Sequence, residues 1–175
     1  TIEDTLLPTE FGNPKPRLVS SREMVGKLKS AVSGKKDPNM VIVARTSSLE
    51  HDPIEQTIRR AIEYSMTGVD ALMLVGSTDR SHIARINEAT DLPLVLGNPD
   101  MSLMDERFLL SSGVRIVLRG HQAFSVALKS LYEAMKYIHD GGNPSDLGDQ
   151  TDSKDLENTI LKTAQYAEWQ RQYLK

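Results

Sequence analysis

The sequence predicts an α/β protein built on a parallel sheet, and three observations predict it. Four short apolar runs stand out: MVIVA at Met40–Ala44, ALMLV at Ala71–Val75, LPLVL at Leu92–Leu96 and VRIVL at Val114–Leu118. They are nearly continuous rather than alternating, as strands covered on both faces read. Amphipathic helical patterns separate them, so the order is loop, then helix and strand in alternation, then a last helix. Regular βα units imply a parallel sheet, either doubly wound or closed into a (β/α)8 barrel.

Each element has its own signals. SSREMVGKLKSAVSG is the first helix and ends near Gly34. In DPIEQTIRRAIEYSMTG, Asp52 is a candidate N-cap, Pro53 the first helical residue and Gly68 the stop, each a residue type suited to its place. Ile54, Ile58, Ala61, Ile62 and Ser65 form its apolar face. STDRSHIARINEAT and SLMDERFLLSSG are shorter helices, with Ser77 and Ser102 as caps. HQAFSVALKSLYEAMKYIHDGG is a long helix after the last strand. GGNPSDLGDQTDS, Gly141–Ser153, has the composition of a linker. KDLENTILKTAQYAEWQRQYLK reads as one final helix with Leu156, Ile160, Ala164 and Ala167 in a stripe, extended by Trp169 and Tyr173. The methionines Met24, Met66, Met73 and Met135 read as core packing. These signals divide the chain into 1–142 and a linker with terminal helix, 143–175.

Composition narrows the function classes. The chain has 175 residues, enough for one sizeable core. A net charge of -3 with interspersed signs, and no basic stripe, argues against a nucleic-acid partner. There is no Cys, which excludes disulfides, thiolate metal sites and a cysteine nucleophile and fits a cytoplasmic location. No apolar run approaches the roughly 18 residues of a membrane span, so no membrane partner is expected.

Chemistry gathers at the C-terminal ends of strands in either α/β architecture. Those ends hold Arg45-Thr46-Ser47, Gly76-Ser77, Gly97-Asn98 and Arg119-Gly120-His121. If the opening residues are the tail of a further strand, Glu3 and Asp4 join the same rim. Two acids, two arginines and a histidine suit a small polyanionic substrate, with or without a hard metal ion. Glu3 and Asp4 read equally as solvated terminal charges. Arg45 directly follows an apolar run, which favours a substrate contact or a buried ion pair over a free surface charge. Arg119 reads either way, and His121 is either a ligand contact or a helix-start residue bonded to backbone. His51, His82 and His139 read as surface residues. HExxH, Walker A, GxGxxG and GxSxG patterns are missing from the sequence.

TIEDTLLPTEFG, VIVARTSS, AIEYSMTGVDALMLVG and GVRIVLRGHQAF, in that order, resemble the isocitrate lyase/phosphoenolpyruvate mutase superfamily, and most strongly its oxaloacetate decarboxylase branch. The resemblance covers most of Thr1–Asp140. It implies the C-terminal half, strands 4 to 8, of a (β/α)8 TIM-type barrel with a C-terminal helical extension. Thr1–Asp4 would end the fourth strand, and TLLPTEFGNPKPRLVS would be a gating loop over the substrate. Glu3 would reach a Mg2+ (or Mn2+) ion through water, Arg45 would pair with a substrate carboxylate, and His121 would contact the substrate. The implied activity is decarboxylation of oxaloacetate or a similar small 2-oxo dicarboxylic acid. The implied assembly is a homo-oligomer, usually a tetramer, that exchanges the helix Gln122–His139. An N-terminal half-barrel would be needed to complete the metal site, and without it the sheet would keep an open edge.

Departures from the superfamily bear on substrate choice. The lyase branch carries Cys in its gating loop, and this chain has none. The lyases place Glu after the sixth strand, where this chain has Gly76; LGNPD after the next strand is short and lacks a Tyr; Ser47 follows ART. Phosphonopyruvate hydrolysis or phosphoenolpyruvate mutation keeps the fold and changes the bond. A catalytically inactive oligomerisation piece is the reading from another class.

Overall fold

The computed structural model describes residues 1–8, 12, 17–151 and 154–174. The centre of the expected gating loop, residues 9–11 and 13–16, lies outside the described residues. The chain divides into two compact units, Thr1–His121 and Gln122–Lys175.

The first unit holds a five-stranded parallel sheet in sequential order, β1 (Ile2–Glu3), β2 (Val43–Thr46), β3 (Ala71–Val75), β4 (Leu94–Gly97) and β5 (Val114–Leu118). Four helices connect the strands: α1 (Ser21–Gly34), α2 (Ile54–Ser65), α3 (Arg80–Ala89) and α4 (Glu106–Ser111). All four pack on one face. Met24 and Leu28 of α1, Ala61 and Tyr64 of α2, Ile83 and Ile86 of α3, and Leu109 of α4 share a core with Ala44, Leu72, Leu74, Leu94 and Leu96. Strand side chains alternate between faces, so Val43, Ala71, Met73, Val75 and Val95 form a second, smaller cluster on the opposite face. Toward the β5 edge of that face Ile116 and Leu118 are exposed.

Two apolar runs coincide with strands. The other two strands start later than their runs, at Val43 and Leu94, because ladder pairing begins only where the neighbouring strand lies alongside: Val43 pairs Ala71 and Leu94 pairs Val114. The helix caps differ from expectation in a consistent way. Asp79, Asp100 and Asp105 accept backbone N–H bonds at the starts of α3, a short 3-10 turn (Met101–Leu103) and α4. They do the work assigned to Ser77 and Ser102, because a carboxylate two residues before the donating N–H makes the stronger, charge-assisted bond. Pro53 rather than Asp52 is the cap residue of α2 and supplies no side-chain bond; Asp52 is engaged elsewhere, as described below. Of the methionines, Met24 and Met73 are buried, while Met66 and Met135 are exposed.

The second unit contains α5 (His121–His139) from Gln122 onward, a 3-10 segment (Pro144–Thr151), α6 (Lys154–Leu161) and α7 (Thr163–Tyr173). The expected linker therefore carries helical turns. Tyr137 donates to Asp146 at 2.7 Å, which ties the segment to α5. The expected single terminal helix is two helices, because Lys162 adopts a left-handed conformation with φ 52° and breaks the stripe between Ile160 and Ala164. Phe124, Leu128, Leu131 and Met135 along α5 are exposed. None of the described helices is long and apolar enough to cross a membrane.

Candidate active-site rim

The row Glu3, Arg45, Met73, Val95 and Ile116 runs across the sheet in register, on the face away from the helices. Glu3 and Arg45 are the charged members. Glu3 Oε2 lies 3.2 Å from Arg45 Nε, an ion pair whose angle does not make an aligned hydrogen bond. Both side chains are about one-third exposed, at 31% and 36%. The strand positions them: Arg45 follows the apolar run Met40–Ala44, and the other three members of its row, Met73, Val95 and Ile116, are apolar. A forked cation at a rim, half neutralised by one carboxylate, can receive a carboxylate of a small anion.

Asp4 and Thr46 are the next residues after Glu3 and Arg45, and alternation turns both to the helix side. Asp4 is fully buried. Its Oδ2 accepts from Thr46 Oγ1 at 2.7 Å and from the Tyr64 hydroxyl at 2.9 Å, and Arg60 Nη1 lies 3.5 Å away. Arg60 donates to the Val19 carbonyl and to Tyr64 Oη, both at 3.0 Å. The circuit continues through Ser48, whose N–H donates to Thr46 Oγ1 at 3.1 Å and whose hydroxyl donates to Asp52 at 2.8 Å. Thr57 donates to Ser48 Oγ at 2.9 Å, and Arg60 Nε closes the ring 3.7 Å from Asp52. Burial and then the Asp4 charge push the Tyr64 hydroxyl well above its usual range, so it stays neutral and donates. Burial pulls the Arg60 guanidinium down, but the Tyr64 hydrogen bond and the Asp4 and Asp52 charges outweigh it and hold it protonated.

Both stems of the loop beyond β1 hang from this ring. Val19 N–H donates to the Asp4 carbonyl at 2.8 Å, and Leu6 N–H donates to the Arg17 carbonyl at 2.7 Å. Thr5 and Leu18 form an antiparallel bridge between them.

At the end of β3, Gly76 has φ +77°, and a Cβ there would lie 2.1 Å from Glu50 Cγ. The space over Gly76 is thus filled by an acid from the adjacent β2 loop, at the strand end where the superfamily's lyases are expected to carry their Glu. Glu50 Oε2 is also 3.8 Å from Nε2 of His51, which is largely buried rather than on the surface. Ser77 is buried and its hydroxyl has no partner among the described residues. His121, at the start of α5, and Arg119 are exposed, and neither hydrogen bonds nor ion-pairs with Glu3 or Arg45 among the described residues.

Among the described residues no three His, Asp or Glu side chains converge to hold a metal. Glu3 supplies one carboxylate, already paired to Arg45, whereas Mg2+ demands a full octahedron of oxygen ligands. The described residues therefore do not by themselves fit a divalent cation.

Sequence reasoning names Glu3, Asp4, Arg45, Arg119 and His121 on the rim, places Thr46 there without a role and gives Asp52 only as a helix cap, and misses Tyr64, Arg60, Ser48 and Glu50. A signal is present. Thr57, Arg60, Ala61 and Tyr64 recur at helical spacing, so α2 carries a polar stripe beside its apolar one, and Thr57, Ala61 and Tyr64 are the buried residues of that helix.

A parallel βα sheet with its connecting helices on one face defines an α/β scaffold of the barrel-type or doubly wound class. The chain belongs to the phosphoenolpyruvate phosphomutase family, whose pattern matches residues 1–139. It is 39% identical over 165 residues to an oxaloacetate decarboxylase of Bradyrhizobium diazoefficiens, covering 94% of this chain and 57% of that protein. Its fold matches phosphoenolpyruvate phosphomutase from Streptomyces platensis subsp. rosaceus with a TM-score of 0.72 at 17% identity, covering 99% of this chain and 63% of the other. It also matches a phosphonopyruvate hydrolase in complex with oxalate and Mg++, with a TM-score of 0.69 at 22% identity, covering 99% and 62%. The chain spans between 51% and 60% of the length of the decarboxylase relatives it matches.

Proposed function

We propose that the intact protein is a carboxy-lyase that decarboxylates oxaloacetate or a similar 2-oxo dicarboxylic acid, and that this chain supplies strands 4 to 8 of its (β/α)8 barrel. The observation that carries the reading is Arg45, a guanidinium at the sheet rim in a chain 39% identical to an oxaloacetate decarboxylase. Arg45 fixes one substrate carboxylate, and Glu3 aims the guanidinium. The bond from C3 to the departing carboxylate breaks, CO2 leaves, and its electron pair forms the enolate of the 2-oxo acid, which takes a proton at C3. His121, first residue of α5, contacts the substrate from the far side of the sheet end. The reading includes Mg2+ or Mn2+, which Glu3 would reach through water and which would need oxygen donors beyond the described residues. Residues 1–142 form the barrel part and 143–175 the extension. The exposed apolar residues of α5 support a homo-oligomer in which Gln122–His139 is exchanged.

Phosphonopyruvate hydrolysis or phosphoenolpyruvate mutation is the second reading, favoured by the family pattern over residues 1–139. The third is an inactive oligomerisation piece, favoured by the incomplete cation site. The test supplies the natural full-length polypeptide with Mg2+ and either oxaloacetate or phosphonopyruvate, and measures both pyruvate release and phosphoenolpyruvate formation. Preferential turnover of oxaloacetate, with kcat/KM lowered by about a hundredfold or more in Arg45→Ala, supports the proposal. Preference for phosphonopyruvate moves the chain to the second reading, and no turnover of either moves it to the third.

A further inference from the structure

We infer that Asp4, held by Tyr64 and Arg60, is a positioning residue that sets the Glu3–Arg45 pair from the opposite face of the sheet. What this means for substrate rests on the proposed function; the geometry itself does not.

The ends of β1 and β2 are joined by more than ladder bonds. Ile2 and Glu3 pair with Ala44 and Arg45, and Asp4 N–H adds one more bond, to the Arg45 carbonyl at 3.2 Å. The side chains supply the rest. The Asp4 carboxylate takes the Thr46 hydroxyl at 2.7 Å, which pins the residue after Glu3 to the residue after Arg45. Rotation of β1 about its axis would carry Glu3 away from Arg45, and that rotation would break the Asp4–Thr46 bond.

Tyr64 and Arg60 then fix Asp4 to α2. Tyr64 is fully buried and its hydroxyl meets Asp4 at 2.9 Å. Arg60 places a cation 3.5 Å from the buried carboxylate, which offsets the cost of holding an anion away from water. Arg60 also grips the Val19 carbonyl, while Val19 N–H grips the Asp4 carbonyl. The returning loop stem is therefore held to the same point. The ring through Thr46, Ser48, Asp52 and Arg60 leaves no open end by which the β2 exit could shift alone. None of these groups faces the rim, so none is a catalytic residue. They act on the rim through two backbones.

The test reads the Arg45 side chain directly. Arg45 Nε is shielded from solvent, and its N–H is followed by NMR at mildly acidic pH, where exchange is slow, in arginine-labelled, natural full-length protein, assigned by its loss in Arg45→Lys. Tyr64→Phe keeps the packing and removes one donor; Asp4→Asn keeps the shape and removes the charge. Both are predicted to shift the Arg45 Nε–H resonance, because both release the residue that follows Glu3 from the residue that follows Arg45. Thr57→Val, which cuts only the Ser48 branch, is predicted to move it less. If Tyr64→Phe remains folded with the Arg45 signal unmoved, the inference is overturned. If Asp4→Asn fails to fold, the Tyr64→Phe result decides. In an active enzyme, Tyr64→Phe is predicted to lower kcat/KM and to lower Tm by the few degrees that one buried hydrogen bond is worth. Absence of turnover in the unmodified protein would overturn the proposed function and leave the NMR result to stand on its own.

Discussion

Replacing Arg60 by Met tests whether the buried ring is held by charge. The Arg60 side chain is 16% exposed and faces Asp4, which is fully buried. Met keeps much of the aliphatic volume and removes the cation and its donors. Taking away one partner of a buried ion pair costs about 3–5 kcal/mol, because the other charge is left uncompensated. Two features place this case at the low end. Asp4 keeps the Thr46 and Tyr64 donors, and the partial exposure of Arg60 lets water replace some of what is lost. A destabilisation of about 3 kcal/mol follows, a large part of the roughly 5–15 kcal/mol that a domain has. The assay is urea unfolding of the natural full-length polypeptide, followed by circular dichroism. The double variant with Asp4→Asn removes the stranded charge as well. It should lose less than the two single variants together, by about 1 kcal/mol or more. A loss below about 0.5 kcal/mol in Arg60→Met, or strict additivity in the double variant, would refute the reasoning.

Two further outcomes follow from the same structure. Asp79 and Asp100 are held below the usual carboxylate range by hydrogen bonds from Ser81 and Ser102, and Asp105 by the backbone N–H of Phe108. Carboxylates with depressed values stabilise the fold above their unfolded value near 4 and lose that contribution as pH falls through their folded values. Changing all three to Asn, which also caps helices, should leave Tm near pH 7 little altered and flatten its decline below about pH 4; superimposable acid profiles would contradict this. Gly76→Ala should destabilise by about 1–2 kcal/mol through the left-handed backbone alone, and more because Glu50 must move. Adding Glu50→Ala should recover only the second part, so full recovery in that double variant would show the backbone at Gly76 to be unstrained.

The helix-and-strand order is legible because both periods are written plainly in the sequence. VRIVL cannot hide a strand, and the spacing of Ile54 and Ile58 cannot hide a helix. Arg45 is legible because a charge directly after VIVA is out of place. The caps are not legible where Ser and Asp lie close together, since backbone geometry decides the competition between hydroxyl and carboxylate. Lys162 gives no sign of breaking the last helix: a lysine is a good helix former, and nothing in its neighbours demands φ above zero. Tyr64 is hidden for a different reason. Its partner Asp4 is sixty residues away in sequence, and only the parallel pairing of β1 with β2 brings the two together. His51 reads as a surface group because the 3-10 turn that draws it inward has no pattern of its own.

The neighbours Glu3 and Asp4 have a consequence for folding as well as for chemistry. They are two acids in a row, and composition alone would let them trade places. Slip β1 by one residue and Glu3 is driven in among Tyr64 and Thr46, with a longer side chain than that space holds, while the shorter Asp4 falls short of Arg45. The wrong alignment is penalised on both faces at once. The alignment of β1 on β2 is thus addressed by the lengths of two side chains, as a key is by the depths of its cuts.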